Sequence, residues 1–124
     1  ILRSCIIRAI YVVGLNPSLP IHHSGANNAF CLADDLIEPY RPIADAFVKS
    51  LVDQNITDLS KTTKETLAKL VILDIKNSDI TSPLFKNMQN VCYSVLTNFD
   101  GNQNKLPVPK FPNYQNIKSL TIHA

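Results

Sequence analysis

Five side chains able to ligate a divalent cation fall between residues 22 and 38: His22, His23, Asp34, Asp35 and Glu38. Asp35 and Glu38 are three positions apart and Asp34 and Glu38 four, so on a helix either pair shares one face. Two carboxylates on one helix and an imidazole from the loop before it suit Mn²⁺ or Mg²⁺, with positions left open for water and phosphate oxygens. A cation held in this way can activate a nucleophilic oxygen and steady a leaving one, which is what phosphodiester chemistry needs. The same spacing also serves a solvated acidic face that complements a helix dipole, and loop histidines also serve as plain surface. Spacing alone leaves both readings open.

The elements that must position these groups follow from periodicity. Residues 1–13 are apolar on most sides and end at Gly14, with Pro17 just beyond, which predicts a core helix with glycine at its C′ position. Residues 15–29, with Asn16-Pro17, Pro20, Ser24-Gly25 and Asn27-Asn28, carry turn chemistry and hold both histidines in a loop. From Phe30 to Glu38 an apolar stripe of Phe30, Leu32, Ala33, Leu36 and Ile37 faces the core, with Asp34, Asp35 and Glu38 on the polar side. Pro39 and Pro42 then bend the path, and helix resumes from Ile43 to Val52. Ser60 is a candidate cap for a helix whose inward face runs through Leu67, Leu70, Val71 and Ile75. Ser82-Pro83, as N-cap and N1, starts a last helix that reaches Asp100-Gly101. The expected fold is all-α: about five helices over residues 1–101, then an extended tail over 102–124 rich in Pro, Asn and Lys.

Bulk properties limit the alternatives. A chain of 124 residues is one domain's length, and 45% apolar residues exclude wholesale disorder. A net charge of +2 does not by itself argue for nucleic acid. Three glycines disfavour glycine-rich phosphate loops. Three cysteines without a CxxC pair read as reduced thiols of a cytoplasmic protein, not as a disulfide framework or a zinc site. The apolar N-terminus is too short to span a bilayer and is interrupted by Arg3 and Arg8, so no membrane role is expected. Its abrupt start without a cap residue reads as a piece of a longer protein.

The run Leu19-Pro20-Ile21-His22-His23, followed by Asn28-Ala29-Phe30-Cys31-Leu32-Ala33-Asp34-Asp35-Leu36-Ile37-Glu38-Pro39-Tyr40-Arg41-Pro42, closely resembles the CRISPR-associated integrase. That family is the larger of the two core spacer-acquisition proteins, and the likeness is to its type II branch. Ile1-Leu2-Arg3-Ser4 and Gly14-Leu15-Asn16-Pro17 are similar to the family's stretch before its histidine loop, so the resemblance covers residues 1–52.

The resemblance implies a helical C-terminal catalytic domain, normally preceded by a small β-rich one. It implies an endonuclease and integrase that inserts spacers into a CRISPR array, a 3′-hydroxyl attacking a repeat phosphodiester with Mg²⁺ or Mn²⁺. The implied ligands are His23, Glu38 and Asp35, with His22 and Asp34 as their rivals. Arg41 falls on a family arginine, expected to contact phosphate or to support the ligands; an ion pair holding the bend at residues 39–42 is the alternative. The implied partners are double-stranded DNA, as protospacer and CRISPR repeat, and the small second adaptation protein, with the full-length protein a homodimer. Two departures stand out. The family's further glutamate ligand lies before the segment matching Ile1, and Pro20 stands where the family usually has Gly. Weak metal binding and little or no DNA cleavage by this chain alone are therefore expected. A second reading is a non-catalytic helical scaffold, resting on Lys61, Lys64, Lys69, Lys86, Lys105, Lys110 and Lys118 for DNA-backbone contacts and on the Pro-rich stretch at 105–112 for a partner protein.

Overall fold

Apolar residues at i, i+3 and i+4 along the first helix, α1 (Leu2–Val12), give Ile6, Ala9 and Ile10 one buried face, while Tyr11 and Val12 on its other side are exposed. The computed structural model describes residues 1–22, 27–77, 80–101, 106, 107 and 109. Gly14 takes a φ of +81°, the left-handed region that only glycine enters cheaply. That turn lets the Gly14 N–H donate to the Tyr11 carbonyl at 3.1 Å and the Leu15 N–H to the Ile10 carbonyl at 3.0 Å. Both bonds of a Schellman cap are thus made, with Leu15 buried beyond it, as the position of Gly14 leads one to expect.

Helix α2 (Cys31–Ile37) buries Leu32, Ala33 and Leu36 against α1. Pro39 has no N–H to continue the α pattern, and the chain tightens into a 3-10 turn, Glu38–Tyr40, before α3 (Arg41–Asp53). Tyr40, Ile43, Phe47 and Leu51 carry the core onward from this turn. Helix α4 (Lys61–Ala68) starts on Ser60, whose hydroxyl accepts the Thr63 N–H at 3.2 Å. Ser60→Ala is expected to cost about 1 kcal/mol of stability, read as a lower urea midpoint at unchanged slope.

The all-α expectation is corrected after α4. A 3-10 turn, Lys69–Ile72, leads into strand β1 (Asp74–Asn77), which pairs antiparallel with β2 (Ile80–Pro83), Ile75 opposite Ser82 and Lys76 opposite Thr81. Leu73 and Ile75 are buried while Asp74 and Lys76 are exposed, a period of two. Ile75 also fits the helical stripe of Leu67, Leu70 and Val71, which is why periodicity carried the helix too far. Pro83 closes β2 and is the N-cap of α5 (Leu84–Phe99), not its first residue. Helix α5 packs along α1 through Leu84, Met88, Val91, Cys92 and Val95.

Among buried polar groups, the Tyr40 hydroxyl donates to Asn87 Oδ1 at 2.6 Å, and Asn87 Nδ2 donates to the Pro107 carbonyl at 3.5 Å. The expected tail at 102–124 otherwise lies outside the described residues, apart from 106 and 109.

Candidate functional site

Helix α2 and the turn after it present Asp34, Asp35, Glu38 and Arg41 in quick succession, and the helical rotation of about 100° per residue sends them to different neighbours. Asp34 faces α1. Its Oδ1 accepts Arg3 Nε at 2.8 Å and its Oδ2 accepts Arg3 Nη2 at 3.3 Å and Asn28 Nδ2 at 2.7 Å. The Arg3 guanidinium also lies 5.4 Å from the centre of the Phe30 ring. The hydrogen bond and the charge of Asp34 raise the Arg3 pKa above its ordinary value.

Asp35, one residue on, turns to the histidine loop, where its Oδ2 accepts the backbone N–H groups of Ile21 at 3.0 Å and His22 at 2.9 Å. Glu38 pairs with Arg41 at 2.9 Å, both side chains at least half exposed. His22 is exposed, and His23 lies outside the described residues.

A cleft of about 560 Å³ opens between these elements, with Arg3, Asp34, Glu38, Arg41 and Asp45 in its wall. Of the acidic residues anticipated, the structure brings Asp34 and Glu38 together in this cleft, while Asp35 is not part of its wall. Among the described residues no three His, Cys, Asp or Glu side chains form a group that could hold a metal ion. The described carboxylates therefore do not make a cation site by themselves, and an imidazole would have to come from the loop that carries His23. Arg3, Asn28 and Asp45 went unnoticed as site residues in the sequence. Arg3 is half exposed, so no burial penalty in the sequence marked it as needing Asp34.

Residues 1–81, out of 124, match the family model described as CRISPR associated protein Cas1. The chain belongs to the Cas1 family. The matched stretch contains α1 to β1, and with them every residue of the cleft wall. The CRISPR-associated endonuclease Cas1 of Neisseria meningitidis serogroup C (strain 8013) is 43% identical over 54 residues, 44% of this chain and 18% of the relative. The match thus spans under a fifth of that relative's length. No solved structure matches this Cas1-family chain. Among the described residues no helix is long and apolar enough to cross a membrane.

Proposed function

We propose that this Cas1-family chain is part of a metal-dependent DNA integrase and endonuclease that inserts spacers into a CRISPR array by 3′-hydroxyl attack on a phosphodiester. The observation that carries the reading is the cleft, which sets the carboxylates of Asp34 and Glu38 beside the guanidiniums of Arg3 and Arg41. Carboxylates suit a hard cation, and guanidinium forks match the paired oxygens of a phosphate. Glu38 and His23 are the proposed ligands, with Asp34 at the same cleft and His22 the alternative imidazole. A divalent cation, Mg²⁺ or Mn²⁺, supplies charge stabilisation to the attacking and leaving oxygens when bound.

The chain's own residues do the rest. Arg41 holds Glu38 in place before substrate arrives and is exposed enough to exchange that contact for a phosphate oxygen. Arg3, held between Asp34 and the Phe30 ring, keeps the opposite wall cationic. Double-stranded DNA is the proposed substrate, and the small second adaptation protein the proposed partner of the whole protein, itself a proposed cytoplasmic homodimer.

Mn²⁺ titration of this chain, followed by electron paramagnetic resonance, tests the reading. Glu38→Gln and His23→Ala should each weaken Mn²⁺ binding at least tenfold, about 1.4 kcal/mol. Affinity unchanged in both variants removes the metal role. The non-catalytic scaffold is favoured by a specific observation, the existing pairing of Arg3 with Asp34 and of Arg41 with Glu38. Salt-dependent DNA binding that ignores His23→Ala, without Mn²⁺ binding, selects it.

A further inference from the structure

Asp35 Oδ2 accepts two consecutive backbone N–H groups, those of Ile21 and His22, from 14 and 13 residues upstream. Two amides converging on one carboxylate oxygen form a tertiary tie at the surface, between residues far apart in sequence. The Leu19 N–H in this stretch also donates to the Asn16 carbonyl at 3.2 Å. Leu19 and Ile21 are 41% and 56% exposed, so apolar burial does not pin it, and Pro20 has no N–H to offer. Downstream, the Leu32 N–H donates to the Pro17 carbonyl at 2.9 Å, which fixes the start of the loop. Asp34 and Glu38 face the cleft, whereas Asp35 does not.

We infer that Asp35 is a positioning residue that holds the histidine loop against α2 and is not itself a ligand of the cation. Its Oδ2 is occupied by the Ile21 and His22 amides, and Asp35 lies outside the cleft wall that Asp34 and Glu38 line, so the geometry favours the tie over ligation there. This inference rests on the reading that the histidine loop serves the cleft.

The test uses the 124-residue chain with the variants Asp35→Ala, Asp35→Asn and Glu38→Gln. Amide hydrogen exchange of Ile21 and His22 is read by NMR without metal, and Mn²⁺ affinity is then measured on each protein. Asp35→Ala should accelerate exchange of both amides at least tenfold while the amides of α3 and α5 keep their protection. Asp35→Asn retains an acceptor oxygen and should restore most of the protection, with Mn²⁺ affinity within about threefold of the parent. Glu38→Gln should leave the exchange rates alone and lose Mn²⁺ at least tenfold. Exchange at Ile21 and His22 that ignores Asp35→Ala overturns the inference. So does an Asp35→Asn loss of Mn²⁺ as large as that of Glu38→Gln, which would make Asp35 a ligand and leave the proposed function standing. If no variant or parent binds Mn²⁺ yet Asp35→Ala frees the two amides, the tie is supported and it is the metal role that fails.

Discussion

Replacing Tyr40 by alanine should destabilise the chain by about 3–5 kcal/mol, the range for removing a large aromatic side chain from a packed core. Tyr40 is fully buried, and its hydroxyl bonds Asn87 Oδ1 at 2.6 Å, so truncation both opens a cavity and strips the partner from a buried amide oxygen. Its position gives the loss a local consequence too. Tyr40 is the last residue of the turn that begins at Glu38, and Arg41 follows it directly. The aromatic ring is the anchor by which that exposed pair is fastened to the core. Tyr40→Phe keeps the ring and removes only the donor, and should cost about 1–3 kcal/mol. Urea unfolding of the two variants checks this, with the order alanine far below phenylalanine, and phenylalanine below the parent. Equal stability of Tyr40→Phe and the parent would mean that Asn87 finds another donor.

Stability should fall in alkaline solution through two overlapping contributions. Desolvation is the main cause that pushes the Cys92 thiol up to about 12 from an ordinary 9.0, partly offset by a backbone hydrogen bond. Burial likewise raises the Tyr40 phenol above its ordinary 10.0, and the nearby Cys92 adds to the rise. Both groups are neutral in the native chain, and both ionise earlier once unfolded. Above pH 9 the unfolded chain therefore binds fewer protons than the native one, and stability falls as pH rises, at about 1.4 kcal/mol per pH unit for Cys92. The loss continues until the pH reaches the native thiol value, and Tyr40 adds the same sense of slope above pH 10. Below pH 9 these two groups contribute their full stabilisation. Urea midpoints at a series of pH values from 8 upward give the slope. Cys92→Ala should be less stable at pH 8 but should lose stability less steeply between pH 9 and 10, and an unchanged slope would falsify the assignment to Cys92.

Residues close in sequence made much of this molecule legible. Gly14 ends α1 because its left-handed φ returns two amides to the carbonyls of Tyr11 and Ile10, a geometry contained within six residues. Ser60 caps α4 across three positions, and the apolar stripes of α1, α3 and α5 mark their buried faces. The histidine loop and the Asp-Leu-Ile-Glu-Pro-Tyr-Arg-Pro run pointed to the family because they are contiguous. The hairpin escaped because Ile75 satisfies both a period of two and the preceding helical stripe, and short apolar runs do not choose between them.

The chemistry of the cleft depended on partners that no local pattern names. Asp34 and Asp35 are adjacent and alike, yet one meets Arg3, 31 residues away, and the other meets the backbone of Ile21 and His22. A helix assigns the angle between two neighbours but not what stands opposite each. Only the packing of α1 and the returning loop against α2 decided that Asp34 joins Glu38 in the cleft wall while Asp35 meets the Ile21 and His22 amides. Sequence by itself determined the family, the caps at Gly14 and Ser60 and the set of charged groups near the turn; tertiary structure decided their partners, because a charge's environment is made by atoms distant along the chain.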